Sequence, residues 1–253
     1  MSESEKPQQS RRERRAAERA TGRSTHGAAK RPVWKSPVAI ASAAAVLIGV
    51  VVVLGLVIAR GGSDMPPVAV ASELVYPEEV RDGRSLGPAD APVQILMFED
   101  PQCPACGAWT RNTEPLVVGS YVKDGTVRLT FKDFPFLGPE SFDAAVAMRA
   151  AEQLGGKFWD MHALIYGNQH GENKGALSRD RLTEMAVLLG LDKDAFVALL
   201  DDKALKDAVQ AEIDEGKALG VSQTPTLVIN GVPKPGVPSW DDIKKLIEEA
   251  QAA

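Results

Sequence analysis

Cysteine is scarce in this chain of 253 residues: there are two, Cys103 and Cys106. Histidine is nearly as scarce, at three, and aromatic residues make up only 6%. A structural zinc site needs about four ligands. A metal reading would therefore require His162 and His170 both to converge on the cysteines, because His26 lies in a charged terminal segment. No metal or cofactor is called for on this count, and no internal repeat is found. A domain stapled by disulfides would show several spaced cysteines. Here both sit in one tight motif, where a bridge closes too short a loop to help the fold much. The pair suits exchange better than stapling, and an inert buried pair is the bland alternative.

Positive charge is also unevenly spread. Residues 1–36 carry ten Lys/Arg against four acids, so this tail is +6 and the remainder of a chain with net charge −5 is −11. The tail lacks interleaved aromatics and a folded platform, which argues against nucleic acid. Charge then vanishes from Val38 to Ala59, 22 residues ending at Arg60. At about 1.5 Å per residue that run spans a ~30 Å hydrocarbon core. The positive-inside rule puts the basic, disordered tail in the cytoplasm and the rest outside, with Trp34 near the interface. The rival is a cleaved signal peptide, kept open by Ala69-Val70-Ala71. Against it, the span exceeds a 7–15-residue signal core and the small-residue site lies ten or more residues beyond it. The expected organisation is a tail (1–36), a transmembrane helix (37–60), a linker (61–84) and a folded domain (85–253).

That domain is organised around Phe98-Glu-Asp-Pro-Gln-Cys103-Pro-Ala-Cys106-Gly107. The apolar run Val93–Phe98 reads as a buried strand, and the segment from Gly107 towards Val118 as a helix. A strand feeding Cys-x-x-Cys into the first turn of a helix is a redox layout. The unpaired N–H groups and positive dipole end there favour a thiolate. Cys103 should then have a pKa within the ~3.5–7.5 span of such settings. Pro104 sits where a helix tolerates proline. Cys103 is expected as the exposed nucleophile and Cys106 as the more buried resolving thiol.

Further along, Pro115 should kink the helix, and Val127–Phe131 alternates as a half-buried strand does. From Ser141 to about Leu219 the pattern is helical, with Gly155-Gly156 ending one helix and Ser178 and Asp192 as N-caps. Residues 166–175 are polar and Gly-rich, hence a surface loop with a solvated His170. His162 reads as a satisfied core or boundary residue. Leu227–Asn230 is a strand, Asn230-Gly231 a hairpin signal, and the chain is expected to turn after Pro233 and Pro235. Ser239 caps a last amphipathic helix. The fold class is α/β with an all-helical insertion at about 139–219.

Residues 85–253 resemble the DsbA-like branch of the thioredoxin superfamily, in its membrane-anchored bacterial form. The resemblance rests on Gly87-Pro-Ala-Asp-Ala-Pro-Val93, the Cys103 motif, Lys157-Phe-Trp-Asp160 and Gly220-Val-Ser-Gln-Thr-Pro225-Thr226 with Asn230-Gly231. It implies a thioredoxin-like core with a helical insertion, after one N-terminal transmembrane helix. It also implies a cis Pro225 facing the cysteines and presenting the Thr224 backbone to an extended substrate, where an ordinary turn proline is the alternative. Pro104 and Ala105, between the cysteines, tune the redox poise. The sequence departs from the pattern at Met97, where thioredoxin-like proteins often carry a buried acid, and in lacking a histidine between the cysteines. Glu99 and Asp100 are nearer the motif but alternate to opposite faces.

The resulting expectation is a thiol–disulfide oxidoreductase on the outer side of the cell membrane, acting as a dithiol oxidase. Its partners would be exported proteins with cysteine thiols and an integral-membrane, quinone-linked reoxidase. A reductase or isomerase, for example in cytochrome maturation, and a non-catalytic membrane-anchored binding module are the other readings.

Overall fold

The computed structural model describes residues 65–69, 74 and 76–252. The expected tail and transmembrane helix lie outside these. Among the described residues no helix is long and apolar enough to cross a membrane.

The sheet is built on β3 (Val93–Glu99), with five of its seven residues buried and Gln94 and Leu96 partly so, as expected of a central strand. It pairs in parallel with β4 (Val127–Asp133), in a register from Val93↔Val127 to Glu99↔Asp133. On its other side it pairs antiparallel with β5 (Thr226–Ile229), Met97 opposite Leu227. Two short strands, β1 (Arg81–Asp82) and β2 (Ser85–Leu86), extend the β4 edge. The strand β6 (Val232–Pro235) closes the other edge, giving the order β1-β2-β4-β3-β5-β6.

The parallel pair needs a crossover. It is supplied by α1 (Pro104–Asn112), α2 (Glu114–Val117) and a wider π-type turn, Val118–Val122. The expected kink is a break at Thr113: Pro115 has no N–H to offer the Arg111 carbonyl, and the chain restarts with Pro115 in the first turn of α2. Between β4 and β5 come α3 (Pro139–Gly155), α4 (Phe158–Gly167), α5 (Arg179–Leu188), α6 (Lys193–Leu199) and α7 (Lys203–Ala218). This is the helical insertion. Ala144, Ala145, Ala147, Ala150 and Ala151 of α3 are all buried, letting neighbouring helices approach closely. Gly156, at φ 65°, ends α3 in the left-handed region. Asp192 caps α6 through Ala195 N–H, whereas Ser178 occupies the cap position of α5 without a side-chain bond.

One expectation is corrected. Leu74 and Tyr76 are in the core and β1–β2 belong to the sheet, so the packed chain starts before residue 85. Pro233 and Pro235 lie within β6, and the chain turns after them at Gly236, as expected. Asn230 and Gly231, with φ of 44° and 85°, make the two-residue turn. That turn makes Ile229–Val232 a hydrogen-bonded pair, as are Leu227–Lys234 and Pro225–Gly236, whose N–H···O is 2.8 Å. Both prolines therefore turn their missing N–H outwards, as suits an edge strand. The last helix, α8 (Trp240–Gln251), opens with a Ser239–Asp242 capping box and buries Ile243 and Ile247.

An ion cluster fastens the insertion to the sheet. Buried Asp133, at the end of β4, takes Arg149 Nε of α3 at 2.6 Å and Arg84 at 3.5 Å. Glu212 of α7 meets Arg84 at 2.7 Å and Arg149 at 2.9 Å, and accepts the Asp133 N–H at 2.7 Å.

Candidate redox site

The end of β3 delivers the chain into the site through Asp100, which is fully buried. Its carboxylate accepts from Ser141 Oγ (2.6 Å) and from the N–H groups of Gln102 (2.8 Å), Phe136 (2.8 Å) and Leu137 (2.9 Å). One side chain thus ties the motif loop to the 136–137 turn and to the start of α3. Cys103 is the N-cap of α1, and Pro104 stands at its first position. The Cys103 carbonyl accepts the Gly107 N–H at 3.0 Å, the first bond of the helix.

Both cysteines are free thiols. Cys103 retains 7% exposure and Cys106 none. The expected order holds, but Cys103 is reached through a narrow window rather than standing open, because the 224–225 loop covers it. The Thr224–Pro225 bond is cis, and Cys103 Sγ donates to the Thr224 carbonyl at 3.5 Å. The two stretches expected to face each other are therefore in contact.

The two sulfurs are in opposite electrostatic states. The Cys106 S–H lowers the Cys103 pKa to about 6, overcoming the cost of burial, with help from Thr224 and the N–H groups of Cys106 and Ala105. Burial pushes Cys106 well up, and its interactions with Cys103 and Glu99 add to that.

Beneath Cys106 lies a feature missed from sequence. Glu99 and Glu114 are both fully buried. Thr110 donates to Glu99 Oε2 at 3.4 Å, while Glu99 Oε1 and both oxygens of Glu114 have no partner. The hydroxyls of Tyr76 and Tyr166 approach Glu114 and Glu99 without completing a hydrogen bond. Burial is the main reason both acids are held protonated. Glu99 is pushed well up by burial and by Glu114, and Glu114 rises to about 8. Met97, at the position where thioredoxin-like proteins often carry a buried acid, is apolar core. The missed signal was a spacing of four, Cys106–Thr110–Glu114, which puts all three on one side of a helical path.

His162 is buried as expected but not satisfied: neither ring nitrogen has a partner. It packs among Phe131, Phe158, Trp159 and Tyr166, and burial lowers its pKa to about 3. His170 is exposed in its loop. Among the described residues no group of three His, Cys, Asp or Glu could hold a metal ion.

A dithiol at the N-terminus of the helix after the central strand, faced by a cis-proline loop, defines a thioredoxin-fold redox protein. The thioredoxin family model matches residues 79–249. The chain is 32% identical over 169 residues to the probable disulfide bond formation protein D of Bacillus cereus, across 66% of this chain and 77% of that protein. The oxidised BdbD crystal structure from Bacillus subtilis superposes with a TM-score of 0.63 at 24% identity, covering 68% of this chain and 94% of that one. Wolbachia pipientis alpha-DsbA1 gives 0.60 at 20% identity, covering 72% and 96%. These two likenesses concern the fold alone. The chain belongs to the thioredoxin family, among its DsbA-like disulfide bond formation proteins, and is a protein thiol–disulfide oxidoreductase.

Proposed function

We propose that the chain is a dithiol oxidase for exported proteins, anchored by residues 37–60 with its folded domain outside the cytoplasm, and that Cys103 and Cys106 carry the exchange. The observation that carries this reading is the asymmetry of the two thiols: Cys103 ionises at about 6 beside the 224–225 loop, while Cys106 is sealed and held protonated.

In the oxidised protein a client thiolate attacks Cys103 Sγ. The Cys103–Cys106 bond breaks, and the electron pair leaves on Cys106, which takes up a proton. The Glu99–Glu114 pair beneath it is the buried source of that proton. Backbone at Thr224 lines up the client strand beside Pro225. A second client thiolate then attacks the client sulfur of the mixed disulfide and expels Cys103 as a thiolate. The client gains a disulfide, and the pair is left reduced. A low-pKa thiolate is a good leaving group, and stabilising it makes the disulfide more oxidising. Pro104 and Ala105 contribute no charge to that poise. An integral-membrane, quinone-linked partner accepts the two electrons to regenerate the disulfide. No cofactor is needed in this chain.

Cys106→Ser should accumulate mixed-disulfide adducts when a client disulfide is offered: the Cys103 thiolate bonds to one client sulfur, the other leaves as a thiolate, and no Cys106 thiol is present to release the adduct. Absence of adducts with the protein folded would overturn the exchange role. A redox titration decides direction: a potential well above about −270 mV, the thioredoxin value, supports oxidation.

A further inference from the structure

The loop after α4 lies at the surface, as its polar, Gly-rich sequence implies, and two of its residues are fastened to the motif loop. Gln169 donates through Nε2 to the carbonyl of Pro101 at 2.8 Å and to that of Cys103 at 3.1 Å. Its Oε1 accepts from Arg111 Nη1 at 3.2 Å, and the same Nη1 donates to the Tyr166 carbonyl at 2.8 Å. The amide is thus gripped by a cation at one end and grips two carbonyls of the motif loop at the other. Four residues on, the Asn173 N–H donates to Gln102 Oε1 at 2.6 Å, and Gln102 Nε2 returns a bond to Asn173 Oδ1 at 3.3 Å.

Gly107 is what lets the first contact form. A Cβ there would overlap Gln169 Oε1 and crowd the Arg111 guanidinium. Glycine inside a helix is otherwise unfavourable relative to alanine, so its place in α1 marks a close approach.

We infer that Gln169 is a positioning residue for the redox turn: its amide pins the Pro101 and Cys103 carbonyls and thereby aims the Ala105 and Cys106 N–H groups at the Cys103 sulfur. This rests on the proposed exchange role of the cysteines. The Cys103 carbonyl is the N-cap acceptor, so its orientation sets that of the whole first turn. A carbonyl held by a donor also turns its negative end away from the thiolate. The helical insertion therefore contributes to redox poise through one side chain that touches neither sulfur.

The test equilibrates the full-length protein with glutathione, protein disulfide plus two thiols giving protein dithiol plus glutathione disulfide, and separately follows Cys103 alkylation against pH. Gln169→Ala should lower the equilibrium constant for reduction about three- to tenfold, the scale of lost hydrogen bonds. Tenfold corresponds to about 30 mV more reducing. The Cys103 alkylation midpoint should rise with it. Gln169→Glu keeps the size and the Arg111 contact but cannot donate, and should shift both readouts at least as far. Gly107→Ala should reproduce the shift by displacing the amide, and should add little in a Gln169→Ala background.

If wild type exchanges with glutathione but none of these variants moves either readout, the inference is overturned and the exchange role stands. A shift in melting temperature with unchanged potential and alkylation midpoint overturns it equally, because that is what mere packing would give. If wild type itself fails to exchange, the proposed function falls and takes this inference with it.

Discussion

Replacing Glu114 with glutamine should stabilise the protein, and by an amount that grows with pH. Glu114 is fully buried, and neither carboxyl oxygen has a hydrogen-bond partner. Burial raises its pKa from an ordinary 4.5 to about 8. Above 4.5 the unfolded chain releases this proton while the folded protein keeps it. The group's contribution is thus complete below pH 4.5 and is lost progressively as pH rises through 8. At about 1.4 kcal/mol per pH unit, the cost reaches about 3 kcal/mol at pH 7. Glutamine has nearly the same shape and cannot ionise. Its amide stays as poorly partnered as the protonated acid, so the comparison isolates the charge.

Urea denaturation of the reduced protein at pH 5, 6, 7 and 8 reads the effect. The two proteins should be of similar stability at pH 5, with the variant ahead by about 3 kcal/mol at pH 7 and further at pH 8. Glu99 is pushed up in the same direction, so the variant keeps part of the wild-type slope. A gap between the curves that stays constant with pH would refute the reasoning, since a constant gap means packing and not protonation.

Other outcomes follow from the same geometry. With its pKa near 6, Cys103 should alkylate in the reduced protein with a midpoint near pH 6 and a plateau above pH 7, where a free thiol of pKa about 8.5 is only about 3% ionised; a midpoint above 8 contradicts the site. His162 is held neutral at a pKa of about 3, so its contribution is present above 6.5 and lost as pH falls towards 3. His162→Leu should therefore gain most over wild type at pH 4–5 in urea denaturation, and an advantage independent of pH counts against it. Gly216→Ala adds a methyl 2.9 Å from the rings of Phe134 and Phe98, and should lower stability by about 1–3 kcal/mol although alanine is the better helix former; a raised melting temperature contradicts this.

What was legible in the chain was whatever repeats with the period of its element. Val93–Glu99 and Val127–Asp133 carry their burial in the order of their residues, and the alanine face of α3 recurs every three or four positions. The Cys-Pro-Ala-Cys placement follows from local helix chemistry alone. What escaped was set by partners distant in sequence. β1 and β2 have two residues each, too short for any alternation to register. That Pro233 and Pro235 can lie inside a strand depends on their pairing with β5, which leaves the missing N–H groups outside and is a property of the sheet. Gln169 looked like a surface residue because its partners, Pro101 and Cys103, lie more than sixty positions earlier.

The buried acids show why the site could not be completed by position-matching. Met97 faces the core from the middle of β3, and a carboxylate there would have to be solvated inside it. Two residues on, on the same face of the strand, Glu99 reaches the end of the sheet beside Thr110, one helical turn beyond Cys106. Glu114 arrives from the following turn because the break at Thr113 lets the chain restart. Burial raises both acids and Glu114 raises Glu99 further through charge, so a proton is retained beneath Cys106 at a pH where Cys103 has already lost its own. Those are opposite demands on two sulfurs of one motif. The fold meets them by giving Cys103 the N–H groups of a helix start and Cys106 the dry side of the same turn.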